Sequence, residues 1–256
     1  MRTISIINLK GGVCKTTTSV NMAYALSELG DKRVLLIDND KQGNASKTFN
    51  LYDPEDENTI ARAMLEKDLD VREIIKKTKY EKIDMVTANM DLLSANFRTT
   101  AQIAGRQQTK FRKAFAPIRD EYDYCIIDNA PDINMNIVNA LVMSEEVIVP
   151  IVLDQYALDG LEILIEQIEQ VQDEYNEALD FSGCLITQYQ KNELNLQGIE
   201  LLKKRGIPVF EQYIRRTEKK VHESTFAKMP VMEYSVRCGA SQDYRKFVLQ
   251  YLEESE

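Results

Sequence analysis

The chain has 256 residues, of which 44% are hydrophobic and 29% charged, and its formal net charge is −9. This composition is typical of a soluble globular protein with enough residues for one large α/β domain, and the acidic balance argues against a protein that coats nucleic acid with a generally basic surface. No apolar run approaches the roughly 20 residues that a membrane-spanning helix needs. The four cysteines are widely spaced and lack C-x-x-C pairing, so we expect reduced thiols in a cytoplasmic protein.

The first 30 residues predict a strand, a glycine-rich turn and a long helix. A β-branched run over residues 3–7 is typical of a buried strand, Gly11 and Gly12 interrupt it, and Lys15 to Thr17 begin the helix. In such a turn the backbone N–H groups face an anion, a lysine reaches the outer phosphates and a threonine hydroxyl holds Mg²⁺. Because the strand begins at residue 3, we expect neither a signal peptide nor an N-terminal helix-turn-helix.

This loop is a variant of the common phosphate-binding pattern. The pattern G-x-x-x-x-G-K-[ST] is not met, because Leu9 and Cys14 occupy the positions of its two glycines. An additional lysine, Lys10, directly precedes the paired glycines.

Two further buried strands are predicted to end in acidic residues. Residues 33–38 end in Asp38, with Asp40 two positions later, and residues 124–128 end in Asp128. Ligands of open parallel sheets bind at the carboxyl ends of strands. Phosphoryl transfer to water needs donors around the phosphates, a metal, and a residue that orients the water. The loop and the acids together therefore predict a site that hydrolyses a nucleoside triphosphate.

The remaining elements alternate between helix and strand. Helices are predicted at 59–65 (capped by Asn58), 90–96, 110–118, 134–142, 159–175, 193–205 and about 241–252, and strands at 82–86, 146–152, 181–187 and from Val209. No linker-like stretch interrupts this alternation. We therefore expect one doubly wound α/β domain over residues 1–256.

At these motifs the chain resembles the ParA/MinD family of deviant Walker A ATPases, and specifically its ParA/Soj branch. The motif KGGVGKTTT of that branch appears as Lys10–Thr18, VLLIDxDPQGNAS as Val34–Ser46, and YDYIIIDxPPS as Tyr122–Asp132. The resemblance implies a P-loop NTPase fold with a mostly parallel sheet and helices on both faces. It also implies ATP or ADP and Mg²⁺ as cofactors, an ATP-bound homodimer that binds DNA nonspecifically at the nucleoid, and a ParB-like partner that stimulates hydrolysis.

The resemblance further implies a role for each matching residue. The catalytic residues would be Lys15 on the outer phosphates, Lys10 reaching the nucleotide of a second subunit, and Asp40 positioning the hydrolytic water. The metal would be held by Thr16, with Asp38 and Asp128 nearby. The nucleotide would contact Gly11, Gly12, Val13, Cys14, Lys15, Thr16 and Thr17, with Gln188 and Arg215 as candidates near the base.

Cys14 is the departure from the family pattern that matters most. The glycine usually found there lets the backbone approach the phosphates without a Cβ, so we expect weaker ATP binding or hydrolysis than in a Cys14→Gly variant. A thiol at a helix N-terminus beside a lysine is also expected to have a lowered pKa. Arg215 stands where the branch commonly has proline, which leaves recognition of the base less defined.

A basic stretch in the C-terminal third predicts binding to the DNA backbone. Only Glu211 and Glu218 oppose seven basic residues there: Lys203, Lys204, Arg205, Arg215, Arg216, Lys219 and Lys220. The alternative interpretation of this basic stretch is a solvated helix end followed by a charged loop, without a role in DNA binding.

This fold is also compatible with three other functions. A MinD-like membrane protein needs a basic amphipathic tail, whereas this chain ends in Tyr251–Glu256, which is acidic and short. An electron carrier needs cysteines that bind a shared iron–sulfur cluster, whereas Cys125 and Cys184 are expected to be small buried hydrophobes. A nonhydrolysing, nucleotide-gated scaffold that positions a protein cargo stays open because of Cys14.

Overall fold

The computed structural model describes residues 1–102, 105–154 and 157–255. Its centre is a seven-stranded sheet with the strand order β3-β4-β2-β5-β1-β6-β7. The strands are Arg2–Ile6 (β1), Val34–Asn39 (β2), Ile75–Lys77 (β3), Ile83–Val86 (β4), Tyr124–Asn129 (β5), Glu146–Ile151 (β6) and Asp180–Ile186 (β7). Neighbouring strands are parallel, except that β3 is antiparallel to β4. The predicted doubly wound, mostly parallel sheet is confirmed.

Helices cover both faces of this sheet. They are Lys15–Gly30 (α1), Asn44–Thr48 (α2), Ile60–Leu65 (α3), Asp91–Thr100 (α4), Lys110–Phe115 (α5), Met135–Met143 (α6), Ala157–Glu174 (α7), Glu193–Lys204 (α8), Glu218–Phe226 (α9), Val231–Tyr234 (α10) and Gly239–Ser255 (α11). No helix in the described ranges combines the length and the apolar character needed to cross a bilayer.

The core follows from the alternation of side chains along the strands. In β2, Val34 and Leu36 pack with α1 and α11 on one face, while Leu35 and Ile37 pack with α3, α4 and α5 on the other. The second face continues beneath α7 and α8, which cover β6 and β7. Such continuous apolar strands are typical of a parallel sheet that is buried on both sides.

Two local predictions are wrong. Asn58 does not cap α3, because Thr59 directly precedes that helix and the side chain of Asn58 accepts a hydrogen bond from Arg62 at 2.7 Å. Val209 does not begin a strand and forms only a single bridge with Cys184.

The sequence prediction also omitted β3, α2, α9 and α10. Helix α9 begins within the charged stretch of residues 215–220, where no helix is predicted. Its buried residue is Ser224, so it has no apolar face that would produce a helical periodicity.

Candidate nucleotide site

The three predicted parts of the site meet at one edge of the sheet. Strands β2, β5 and β1 are neighbours, and the glycine-rich loop leaves β1 at the edge where β2 and β5 end. In the parallel register Asp38 lies directly opposite Asp128. The fold therefore brings together the loop and both acid-ended strands, as the sequence predicted.

The loop reaches α1 through two residues with left-handed backbone. Gly12 has a φ of 77°, and Cys14, the residue directly before α1, has a φ of 66°. A residue with a Cβ is strained in this region, whereas glycine adopts it freely. The structure thus gives a conformational reason for glycine at position 14, in addition to the expected need for space near the phosphates.

The expectation of a low thiol pKa at Cys14 is wrong. Burial raises the pKa of this thiol, and hydrogen bonds with Gln188 and Thr187 oppose the effect only in part. The Gln188 amide donates to the Cys14 sulfur at 3.4 Å and to the carbonyl oxygen of Gly12 at 2.8 Å. Gln188 therefore holds the loop backbone itself.

The catalytic candidate Lys15 lies inside the loop. Its side chain is largely buried, and Nζ donates to the carbonyl oxygen of Lys10 at 2.9 Å. Burial lowers the pKa of Lys15, while Asp128, Asp40 and, less strongly, Asp132 raise it. The ammonium thus lies at the centre of the loop among carboxylates, where a phosphate would be a stronger partner than a carbonyl.

Asp38 and Asp128 form a buried acidic pair. One Asp38 oxygen accepts from the backbone N of Ser46 at 2.8 Å and from its hydroxyl at 2.7 Å, and Asp128 accepts from the Ser19 hydroxyl at 3.0 Å. Burial raises the pKa of both carboxyls, and the charge of Asp128 raises that of Asp38 further. Because both carboxyls are buried, a bound cation would stabilise their ionised forms.

These residues fit a magnesium ion held mainly by a nucleotide. Among the described residues no cluster of three or more His, Cys, Asp or Glu side chains has metal-binding geometry. Oδ2 of Asp128 is buried and has no hydrogen-bond partner within the described ranges, and Thr16 lies beside this carboxyl. Mg²⁺ usually binds one or two protein oxygens together with phosphates and waters. The Thr16 hydroxyl and Oδ2 of Asp128 would be the protein ligands in such an arrangement.

Several cavities adjoin the loop, and two of them connect it to other predicted site residues. The first connects the loop to Asp40 and Asp132. Its lining is Gly11, Gly12, Cys14, Lys15, Thr16, Thr17, Asp40, Lys41, Gln42, Asn44, Pro131 and Asp132. The second joins the loop to the C-terminal third, and its lining includes Gly12, Cys14, Thr17, Gln188, Arg215, Val221, His222, Thr225, Ala240 and Tyr244. The predicted residues Asp40, Gln188 and Arg215 therefore all border the loop.

Arg215 is fixed by an acid on α11. Its guanidinium binds both oxygens of Asp243, at 2.7 and 2.9 Å, and its backbone N binds the same carboxylate at 2.9 Å. The Asp243 side chain is buried, so this pair holds the loop around residue 215 against α11.

Lys10 and Val13, the other predicted loop residues, have distinct environments. Lys10 forms an ion pair with Asp154, which follows β6, and both side chains are partly exposed. Val13 is buried, and its carbonyl oxygen accepts a hydrogen bond from Thr187 at 3.1 Å. Unlike the buried Lys15, Lys10 therefore lies at the surface of the subunit.

The seven predicted DNA-binding residues fall into separate groups. At the end of α8, Lys204 pairs with Glu200 and Arg205 pairs with Glu162 of α7. The remaining ion pairs join Arg215 to Asp243, Arg216 to Glu218 and Lys220 to Glu223. Lys203 and Lys219 form no ion pair within the described residues. One further cavity is lined by Arg215, Arg216 and Lys219 together with Tyr189 and Lys191.

Sequence reasoning missed several residues of the site. Asp154 and Ser19 carry no local signal, because their roles depend on segments far from the loop in sequence. Ser46 lies inside the quoted second motif, so its position could have been noticed. Lys191 could have been found by searching for basic residues just after the strand predicted over residues 181–187.

The cysteines of the core are as predicted. Cys125 and Cys184 are completely buried and free, and burial raises the pKa of both thiols. Their positions inside β5 and β7 do not suit a cluster shared between two subunits.

Comparisons with known proteins agree with this geometry. A family model described as an AAA domain matches residues 1–181. The sporulation initiation inhibitor protein Soj of Bacillus subtilis is 34% identical over 243 residues, which cover 94% of this chain and 94% of that protein. The chromosome partitioning protein ParA of Caulobacter vibrioides is 32% identical over 256 residues, covering 98% and 94%.

A solved structure extends the similarity to three dimensions. It is the cobyrinic acid a,c-diamide synthase of Mycobacterium smegmatis with a bound ATP analog and magnesium. It superposes with a TM-score of 0.84 at 26% identity, and the match covers 100% of this chain and 97% of that one.

Proposed function

The chain belongs to the ParA/Soj branch of the deviant Walker A partitioning ATPases, and from this premise we propose that it binds and hydrolyses ATP with Mg²⁺ around the loop of residues 10–17. The observation that carries the proposal is the convergence of Lys15, Thr16, Asp40 and Asp128 at one sheet edge. The family resemblance supplies the roles, and the geometry is compatible with each of them. The magnesium-bound ATP analog in the Mycobacterium smegmatis protein supports the choice of cofactors.

The chain's own residues would act as follows. Lys15 would exchange its hydrogen bond with the Lys10 carbonyl for the β- and γ-phosphates, which carry more negative charge. Thr16 and the unpartnered Asp128 oxygen would hold Mg²⁺ directly or through water. Bound Mg²⁺ would neutralise charge that develops on the phosphates. Asp40, in the same cavity, would orient the attacking water.

We further propose that ATP drives dimerisation through Lys10. This lysine lies at the surface of one subunit, where its contact is the partly exposed Asp154. In a face-to-face dimer it would leave that contact and bind the nucleotide of the second subunit. The exchange is favourable because an exposed ion pair contributes only about 0–1 kcal/mol, whereas a phosphate inside an interface attracts an ammonium more strongly.

The dimer is proposed to bind DNA without reading its sequence. The basic cavity formed by Lys191, Arg215, Arg216 and Lys219 supports this step, and Tyr189 adds an aromatic side chain. Arg216 pairs with the surface carboxylate of Glu218, but such a pair is weak enough for DNA phosphates to replace it. Two copies in a dimer would double the positive surface. A ParB-like partner would then stimulate hydrolysis and release the DNA, segregating a replicon at the nucleoid.

The alternative is a weakly hydrolysing or nonhydrolysing scaffold whose cargo binding depends on the nucleotide. The left-handed backbone of Cys14 favours this second candidate, because strain in the phosphate loop would oppose the bound conformation.

One experiment distinguishes the two candidates. ATP hydrolysis and size-exclusion elution are measured with ATP or ADP, with and without duplex DNA. An ATPase of the partitioning type is expected to dimerise only with ATP and to hydrolyse it faster when DNA is present. ATP-dependent dimers without turnover would favour the scaffold, and no ATP binding would contradict both.

The DNA step is tested by charge reversal. The obvious substitutions are Arg215→Glu and Arg216→Glu, but Arg215 is bound by the buried Asp243, so its loss would also disturb the fold. Lys191→Glu with Lys219→Glu is a cleaner pair. Arg245→Glu with Lys246→Glu, two exposed residues of α11, gives the same change of charge as a control. Weaker retention on DNA at low salt is expected for the first pair alone, and equal retention would refute the proposed surface.

A further inference from the structure

A second cavity rich in cations lies away from the nucleotide site. It is bordered by the end of α3, the segment that follows it and the start of α5, and we name it the lysine-rimmed cavity. Its lining is Leu65, Glu66, Lys67, Leu69, Gln102, Gly105, Arg106, Gln107, Lys110, Lys113, Ala114 and Pro117. None of these residues lines a cavity around the phosphate loop. Its volume of about 450 Å³ is that of a small-ligand or side-chain pocket.

The charges of this cavity are unbalanced. Lys67, Arg106, Lys110 and Lys113 border it, and none of the four forms an ion pair with a carboxylate in the described part of the chain. Glu66 is the acid of the lining, and it is already bound by Arg62 through two hydrogen bonds of 2.6 and 2.9 Å. The cavity is therefore a local excess of positive charge in a chain whose net charge is −9.

The floor of the cavity is apolar. Leu65, Leu69 and Ala114 pack against the core beneath α3 and α5, and Pro117 completes the lining. The Lys110 side chain is held by hydrogen bonds, because its ammonium donates to the carbonyl oxygen of Met64 and to the side-chain oxygen of Gln102 at 3.3 Å. Lys67 and Lys113, in contrast, are exposed at the rim. An occupant would thus meet apolar surface inside and free cations outside.

We propose that the lysine-rimmed cavity binds an acidic peptide segment of a partner protein, with an apolar side chain inserted between carboxylates that pair with the rim. The apolar floor gains by covering a hydrophobic side chain, and the rim attracts carboxylates. Duplex DNA suits the cavity less well, because its phosphates lie on a convex backbone and would leave the apolar floor uncovered. The site needs no nucleotide, so it operates whether or not the protein hydrolyses ATP.

The test is fluorescence anisotropy with a labelled peptide in which a central leucine is flanked by glutamates. The full chain is titrated into this peptide at low salt. Saturable binding is expected, and it should weaken as salt rises because the rim charges are exposed. A peptide with glutamines in place of the glutamates, and one with serine in place of the leucine, should each bind at least tenfold more weakly.

Two double variants locate the binding. Lys67→Glu with Lys113→Glu reverses the rim, and it is expected to weaken the peptide complex at least tenfold. Arg245→Glu with Lys246→Glu on α11 makes the same change of charge elsewhere, and it is expected to change affinity less than twofold. Thermal unfolding confirms that each variant is folded; all four substituted side chains are exposed, so their removal leaves the core intact.

Several outcomes would overturn the proposal. No peptide binding to the unaltered protein would do so, as would equal losses in the two double variants. Binding of decanoate at this cavity without binding of the peptide would assign it to a small anionic amphiphile. Displacement of the peptide by duplex DNA, with the same sensitivity to the rim variant, would assign it to nucleic acid.

Discussion

Asp38 and Asp128 lie opposite each other on neighbouring parallel strands, and both carboxyls are buried. Burial raises the pKa of each, so in the nucleotide-free protein the folded state holds protons more tightly than the unfolded chain. A group of this kind destabilises the fold as pH rises above the ordinary carboxyl pKa of about 4. We expect the free energy of unfolding without nucleotide to fall by more than about 1 kcal/mol between that pH and neutrality from this pair.

The Asp38→Asn variant measures this effect. Denaturant unfolding across pH should show a smaller fall for Asp38→Asn than for the unaltered protein, because one of the two titrating groups is gone. Asp173→Asn, at an exposed position of α7, serves as the control and should keep the original pH dependence. Identical pH profiles in all three proteins would contradict the assignment.

A second prediction concerns the backbone at Cys14. Cys14→Gly is expected to bind Mg²⁺–ATP about fivefold more tightly, because glycine has no Cβ beside the phosphates and adopts the left-handed backbone that phosphate binding would fix without strain of the order of 1 kcal/mol. Cys14→Ala retains the Cβ and should resemble the unaltered protein. Isothermal titration calorimetry gives all three affinities. If alanine matched glycine, the sulfur and its contact with Gln188 would be responsible instead of the backbone.

A third prediction concerns the contact between Lys10 and Asp154. Asp154→Asn should free Lys10 and strengthen the ATP-dependent dimer by up to about 30-fold, because each of the two subunits gives up an exposed ion pair of at most about 1 kcal/mol. Analytical ultracentrifugation with a nonhydrolysable ATP analogue measures the dimer dissociation constant. Asp173→Asn removes one acid from α7 with no contact to Lys10 and is the matched control. The same dissociation constant in both variants would show that the ion pair does not restrain dimerisation.

A fourth prediction concerns a pair of buried asparagines beside the acids. The Asn39 amide donates to Asn129 at 2.8 Å, across the same β2–β5 register that pairs the two aspartates. Each residue directly follows one of those aspartates, so the bond links the two strand ends. Asn39→Ala or Asn129→Ala should each lower the free energy of unfolding by about 1–3 kcal/mol, because a buried polar partner is left unsatisfied.

A double-mutant cycle isolates this bond. The two substitutions together should cost less than the sum of the single ones, with a coupling energy of about 0.5 kcal/mol or more. Denaturant unfolding of the four proteins provides the cycle. Strict additivity would show that the two side chains contribute independently through their other bonds, such as that from Asn136 to Asn39 at 3.0 Å.

Local sequence patterns predicted most of the sheet, together with the phosphate loop and the acids of the site. The buried strands were found because their apolar runs are continuous, and the loop and acids were found because each motif lies within a few residues. Helix α9 was missed because its exposure leaves no periodic apolar pattern, although it lines the cavity beside the loop through Val221, His222 and Thr225. The basic stretch was predicted as one surface, whereas its members face different elements and pair with different acids.

The sequence by itself determined the family, the phosphate loop, and the acids that end β2 and β5. These are properties of short segments, in which residue type and spacing are sufficient. Only the tertiary structure decided that Cys14 adopts a left-handed backbone, that Lys10 contacts Asp154, and that Asp38 faces Asp128 in register. Each of these depends on how segments distant in sequence pack together, because packing sets the burial, the backbone strain and the charged neighbours of a side chain.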